Sequence, residues 1–185
     1  MRGNKKIALV VVAAVAVAVA LVLAFNQSGS NVQAQNATIG SRAPNFGFLL
    51  ANGSVANLSA YRGHAVVLWF VATWCPSCAQ GNSAINSNYS FFKQHGIKIV
   101  ELELYKDLGY SGPTIEGFVN SYAPAAYSNG TIVPALAGYN MTAAYDPKGY
   151  LDIYYLISGN GTILYISGSP AETLGQLAHA INTSL

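Results

Sequence analysis

AVVLWFVATWCPSC, residues 65–78, is the stretch on which the fold turns. Its first seven residues are all apolar, the pattern of a short strand buried on both faces. A helix is predicted to follow, with Pro76 in its first turn, where a missing N–H costs nothing and the fixed φ suits the helix. The Cys75-x-x-Cys78 spacing then puts the second sulfur on the next turn of the same face, within disulfide reach of the first. Free N–H groups and the macrodipole at a helix N-terminus stabilise a thiolate. Cys75, expected at the exposed helix end, is therefore the candidate nucleophile, and Cys78, inside the first turn, the candidate resolving thiol. Trp74 would give the pair an apolar platform that excludes water. A structural disulfide between neighbours is the alternative. A zinc half-site lacks support, because no His or further Cys is nearby in sequence.

On the N-terminal side, Asn45–Leu50 and Ser54–Leu58 read as a short hairpin about Asn52-Gly53. On the C-terminal side the helix is expected to run from Pro76 towards Gln94 and to end at Gly96. Ile97–Tyr105 is a second strand, placing Ile97, Ile99, Glu101 and Glu103 on one face. Glu101 and Glu103 are weaker candidates for proton exchange with the dithiol, since strand-end carboxylates are usually solvated. Pro113 opens a helix through Tyr122. Residues Ile153–Ile157 and Thr162–Ser167 form a hairpin about Gly159-Asn160-Gly161, and Pro170 opens a last helix with Leu174, Leu177, Ala178 and Ile181 on one face. Ala123–Lys148, with its prolines and Gly-containing turns, reads as loop with short elements, a candidate lip over the site. Strand, helix, strand, helix, hairpin, helix gives an α/β domain with a mixed sheet flanked by helices.

The chain has 185 residues, 52% hydrophobic and 9% charged, with a formal net charge of +2. So little charge excludes a charged disordered tail, a coiled coil and an electrostatic nucleic-acid binder. Part of the apolar excess is local: Ile7–Phe25 is an uninterrupted apolar run long enough to span a hydrocarbon core of ~30 Å. Arg2, Lys5 and Lys6 precede it and no basic residue follows until Arg42, so the positive-inside bias keeps the N-terminus in the cytoplasm and exports the rest. Residues 1–25 are read as a signal anchor and single transmembrane helix, 26–37 as a polar tether, and 38–185 as the folded domain. A cleaved signal peptide would give the same compartment. Without Arg2, Lys5 and Lys6, six basic residues face seven acidic ones, so the positive charge belongs to the topogenic segment. Asn-x-Ser/Thr triplets begin at Asn26, Asn36, Asn52, Asn57, Asn88, Asn129, Asn140, Asn160 and Asn182, which suggests a glycoprotein. Several of these positions are equally turn signals.

The segment IGSRAPNFGFLLANGSVANLSAYRGH, followed by AVVLWFVATWCPSC, resembles the thioredoxin superfamily, and within it the TlpA/ResA-like membrane-anchored thiol–disulfide oxidoreductases. LISGNGTILYISGSP resembles that family's closing hairpin. The resemblance implies a thioredoxin-like fold with an N-terminal hairpin extension, dithiol chemistry at Cys75 and Cys78, a protein disulfide as substrate, and a membrane electron donor that keeps the pair reduced. It implies no cofactor and no resident metal. Within the family the expected kind is a reductase or cytochrome-maturation type.

Two departures stand out. The superfamily places a cis-proline opposite its cysteines; aligning the closing strand puts Asp152 there, within Gly149-Tyr-Leu-Asp-Ile. Relatives often carry a carboxylate six residues after or six before the first cysteine; these positions are Gly81 and Trp69. The expectation is that Asp152 replaces both features, lying across from Cys75 and exchanging a proton with the dithiol, with its pKa raised by a partly apolar site. A turn-capping role for Asp152 is the alternative. Trp74, Pro76, Leu151 and Asp152 are the candidate substrate-binding residues. The competing function is a Cu(I) metallochaperone or oxidase-assembly factor using the same two thiols, which suit a soft ion. A peroxidase is disfavoured, because peroxide-reducing relatives place Thr three residues before the cysteine and this chain has Ala72.

Overall fold

A computed structural model describes residues 37–185. The proposed transmembrane segment and most of the tether lie outside the described residues; among those described, no helix is long and apolar enough to cross a membrane. Seven strands form one mixed sheet, β1 (Gly47–Leu50), β2 (Val55–Asn57), β3 (Val66–Val71), β4 (Lys98–Glu103), β5 (Ile132–Ala137), β6 (Ile153–Ile157) and β7 (Ile163–Gly168), in the order β2-β1-β5-β4-β3-β6-β7. The central pairs β3·β4 and β4·β5 are parallel, and the remaining pairs are antiparallel. Among the described residues six α-helices accompany the sheet: α1 (Pro76–Ser87), α2 (Tyr89–Gln94), α3 (Ile115–Tyr122), α4 (Pro124–Ser128), α5 (Tyr139–Tyr145) and α6 (Pro170–Ser184).

The apolar run of β3 is buried at every position, which is why its residues do not alternate with polar ones. Val67, Trp69 and Val71 face the layer that holds Cys75, Cys78, Ile85, Leu177 and Ile181. Val66, Leu68 and Phe70 face a second core with Met141, Tyr145 and Tyr155. Tyr145, Tyr154 and Tyr155 are core residues, whereas Tyr150 is exposed.

Two expectations need correction. The single helix towards Gln94 is two helices, because Asn88 leaves helical geometry at φ −120° and ψ 13° while its side chain bonds back to the Ala84 carbonyl at 2.8 Å. The expected lip at Ala123–Lys148 instead supplies α4, β5 and α5, with Ala126 and Met141 buried on opposite faces of the sheet. Strand β5 was masked by Pro134, which cannot donate to a ladder. Ile99 N–H bonds the Thr131 carbonyl, so Thr131, Val133 and Ala135 turn their backbone groups towards β4 and Pro134 turns towards β1. There β1 is ending: Ala51 N–H donates to the Pro134 carbonyl at 3.0 Å, and no donor is required from the proline.

Helix α1 approaches β3 closely at one point. A Cβ on Gly81 would lie 2.7 Å from Cζ2 and 3.0 Å from Cη2 of the fully buried Trp69. The indole thus occupies the space into which a side chain at position 81 would point, so one packing choice accounts for the absence of a carboxylate at both position 69 and position 81. Gly81→Ala is expected to destabilise the protein by about 2 kcal/mol by overpacking, despite alanine's better helix propensity. Urea unfolding checks this, and Trp69→Phe in the same chain should recover part of the loss.

Candidate functional site

Cys75 and Cys78 are joined as a disulfide with Cα atoms 5.3 Å apart. Cys75 is the N-cap of α1, its sulfur accepting from the Cys78 N–H at 3.2 Å, and Pro76 follows in the first turn. The local chain reaches this shape because Ala72 O accepts the Cys75 N–H at 3.0 Å, turning the backbone out of β3 and into the helix. Contrary to the expectation of an exposed helix end, Cys75 is only 2% exposed and Cys78 is fully buried. Pro76 is exposed and Trp74 half-buried, and these two mark the solvent side of the pair.

Asp152 comes to the same place from β6. It is 1% exposed, and its backbone sits in the left-handed region at φ 70°, immediately before the strand. Aspartate tolerates this region better than most residues, because its short side chain can bond locally. Here that side chain turns inward, where Oδ1 accepts from Trp69 Nε1 at 2.8 Å. Its N–H donates to Phe70 O at 3.1 Å and its carbonyl accepts from Ser169 N–H at 2.9 Å, tying β3, β6 and the start of α6 together. No cis peptide bond occurs among the described residues. Burial is the main cause raising the Asp152 carboxyl above its ordinary range; hydrogen bonds from Trp69, Ser77 and Ser169 oppose it, and the charge of Glu172 adds to it. Ser77 is the connecting group, its hydroxyl lying 3.1 Å from Cys75 Sγ. Leu151, next to Asp152, is half-buried and packs against both cores.

Sequence reasoning missed two contributors, Ser77 and Asp107, and ranked a third, Glu101, too low. Ser77 stood in plain view between the cysteines, but nothing in the sequence told which way its hydroxyl points. Glu101 was ranked low as a strand-end carboxylate and is fully buried, accepting from Asn82 Nδ2 at 2.7 Å. Asn82 lies four residues after Cys78 on the same face of α1, a polar residue on a buried stripe, and that was the available signal. The other missed contributor is Asp107.

Lys106, Asp107 and Leu108 all lie in the left-handed region, with φ of 52°, 51° and 57°. Each non-glycine residue so placed costs roughly 1–2 kcal/mol. Asp107 supplies the compensation: its carboxylate accepts from Thr73 N–H at 2.8 Å and Thr73 Oγ1 at 2.7 Å, and its carbonyl accepts from Trp74 Nε1 at 2.9 Å. The turn thereby grips the two residues before Cys75. Gly112 closes over the clasp, where any Cβ would lie 2.0 Å from Thr73 Oγ1. Tyr110 stands against Trp74 with ring centroids 4.8 Å apart. A groove of about 610 Å³ continues from Asp107 and Tyr110 past Ile115, Leu49 and Leu136.

Asp107→Ala should cost about 3 kcal/mol, because it leaves the Thr73 donors unpaired and puts alanine in the left-handed region. Asp107→Asn retains an acceptor and that backbone tolerance, and should cost under about 1 kcal/mol. Denaturant unfolding separates the two, and near-ultraviolet dichroism of Trp74 should change only in the alanine variant.

Comparison with known proteins agrees with this geometry. Over 83 residues the chain is 35% identical to the thiol-disulfide oxidoreductase ResA of Bacillus subtilis, covering 45% of this chain and 44% of that protein. It is 32% identical over 95 residues to ResA of Bacillus thuringiensis, covering 50% and 53%; the chain thus spans about half the length of the curated relatives it matches. Among solved structures, a thioredoxin-like protein from Aeropyrum pernix superposes with a TM-score of 0.60 at 20% identity, over 75% of this chain and 89% of that one. A secreted disulfide oxidoreductase from Mycobacterium tuberculosis gives 0.56 at 17% identity, over 83% and 98%. The fold is therefore thioredoxin-like. The model of the AhpC/TSA family matches residues 39–164, on which basis the chain belongs to that family.

Proposed function

We propose that the protein is an extracytoplasmic thiol–disulfide oxidoreductase, tethered by residues 7–25, that reduces protein disulfides through Cys75 and Cys78. The observation that carries this reading is the Cys75–Cys78 pair at the N-terminus of α1, with the Ser77 hydroxyl 3.1 Å from Cys75 Sγ and the buried Asp152 carboxyl among the groups that Ser77 acts on.

In the reduced protein the Cys75 thiolate attacks one sulfur of the substrate disulfide. That S–S bond breaks, a mixed disulfide forms, and the departing thiolate takes up the proton that Cys75 has released. Cys78 then loses its proton, attacks Cys75 Sγ, and expels the second substrate thiolate, which is protonated in turn. Two electrons pass to the substrate and the protein is left as the observed disulfide. A membrane electron donor returns it to the dithiol. Cys78 is sealed from water, so its proton needs an acceptor inside the protein, and Asp152 serves, with Ser77 carrying the hydrogen bond towards Cys75. Trp74, Pro76 and Leu151 face the substrate, an extended polypeptide segment that continues over Tyr110 into the adjoining groove.

The copper reading is less well supported. Among the described residues no group of three or more His, Cys, Asp or Glu side chains gathers, so a Cu(I) ion would be held by the two thiolates alone. Six of the Asn-x-Ser/Thr asparagines in the domain, Asn52, Asn57, Asn88, Asn140, Asn160 and Asn182, are exposed, which supports glycan attachment on an exported surface.

Two outcomes are expected of the purified full-length chain. Cys78→Ser should accumulate a mixed disulfide with a disulfide-bonded protein substrate, visible on non-reducing gels, while turnover falls at least about 100-fold. No trapped species with Cys78→Ser, or trapping by Cys75→Ser instead, would reverse the roles. The second concerns pH. A raised Asp152 pKa leaves the carboxyl protonated, and unable to accept, to higher pH than an ordinary aspartate, so the acid limb of the Cys75 alkylation profile lies above the usual carboxylate range. Asp152→Asn should abolish that limb and leave the thiol's own titration.

A further inference from the structure

Glu101 sits in the middle of the sheet, paired in register with Trp69 of β3 and Pro134 of β5. No side chain in the thiol chemistry above uses it. It is fully buried, and a carboxyl in such a place is costly unless paired or protonated. Asn82 Nδ2 donates to Glu101 Oε1 at 2.7 Å and also points to the Cys78 carbonyl at 3.3 Å, so Glu101 is braced against the turn of α1 that carries the resolving cysteine. Glu101 Oε2 and Asn82 Oδ1 have no partner.

Across β3, on the same face of the sheet, Asp152 Oδ2 also lacks a partner although it is buried. The two carboxyls flank Trp69, one from β4 and one from the start of β6. Asn82 from α1 and Trp69 from β3 face Glu101; Glu103 follows two residues on along the same face of β4, while Glu172, Ser77 and Ser169 act on Asp152. Asp152 is the charged group that acts on Glu101, and no basic side chain of the described residues offsets either carboxyl. Two like charges so placed cannot both be held at low cost; one proton between them removes the conflict.

We propose that Glu101 and Asp152 form one proton-sharing pair behind the dithiol, in which Glu101 is the positioning residue that holds the shared proton while Asp152 is ionised towards Ser77 and Cys75. This rests on the reading of Asp152 as proton acceptor. When Cys78 releases its proton to Asp152, the pair becomes fully protonated. When the departing substrate thiolate takes a proton back, the pair returns to one charge, and no proton is gained or lost over the cycle.

Burial raises Glu101 to about 8 from its ordinary 4.5, and Asp152 is among the causes. The folded protein then binds this proton more tightly than the unfolded chain does. Stability from this group is full below its ordinary value and is lost as pH rises through about 8.

The test follows the Glu101 and Asp152 carboxyl carbons by ¹³C NMR in the oxidised full-length chain, from pH 4 to 10, in wild type, Asp152→Asn and Glu101→Gln. Two interdependent steps are expected in wild type. Asp152→Asn should lower the Glu101 midpoint by about one pH unit, because the charge already on Asp152 is removed, whereas Glu101→Gln, which removes the partner that holds the shared proton, should raise the Asp152 midpoint and the acid limb of Cys75 alkylation. Carboxyls that titrate independently, each unmoved by the other substitution, would overturn the pair, while an acid limb abolished by Asp152→Asn would still uphold the proton acceptor. Interdependent titrations with a limb untouched by Asp152→Asn would overturn the acceptor reading, and with it the pair's link to the dithiol. If Glu101→Gln does not accumulate, the Glu101 midpoint in wild type and in Asp152→Asn is enough to separate shared from independent titration.

Discussion

The hydrogen bond from Trp69 Nε1 to Asp152 Oδ1, 2.8 Å long and closed off from solvent, is the constraint around which the redox layer is arranged. A buried indole needs an acceptor for its one donor, and a buried carboxyl needs donors. Each meets the other's requirement, and the remaining geometry follows from how they meet. Trp69 must point at α1, so the helix can approach only where residue 81 has no side chain. Asp152 must turn back towards β3, and a positive φ aims it there.

On the proposed reading of Asp152, that arrangement moves the acid function rather than deleting it. Positions 69 and 81, where relatives often hold a carboxylate, are filled by indole and by glycine, and carboxyls enter instead from β4 and from the loop before β6. The replacements come from strands on either side of β3, so the electrostatics of the site depend on correct strand order as well as on the Cys motif. The clasp at Asp107 adds a mechanical counterpart. It fixes Thr73 and Trp74 from the end of β4, so the same strand carries the buried Glu101 and leads directly into the grip on the Cys loop.

Much of this was legible in the residues. The continuous apolar run before Cys75 announced a fully buried strand, and Pro76 marked the helix start; both hairpins stood where their Asn-Gly and Gly-Asn-Gly turns placed them. Asp152 was singled out through its position before the closing strand, and it is buried with its carboxyl on Trp69 of β3. What stayed hidden was decided by tertiary context. Pro134 argues against a strand on local grounds and is tolerated only because its missing donor faces the end of β1. Glu101 alternates correctly along β4, but alternation cannot say that α1 will cover that face with Asn82. The three left-handed residues at 106–108 carry no glycine to advertise them, and they depend on partners more than thirty residues earlier in the chain.

Strand β5 lies between β1 and β4, although β1 and β2 precede it by most of the length of the domain. Whenever the chain emerges with its N-terminus first, the β1·β2 hairpin has no sheet to join until Ile132–Ala137 has followed. Its apolar residues must wait, and two short strands are marginal alone in water. The order of synthesis and the order of assembly are therefore opposed at this edge: the segment made first is among the last that can dock. That puts the slow, aggregation-exposed stage of folding at the hairpin and leaves the Cys-bearing β3–α1 unit to form from contacts closer in sequence.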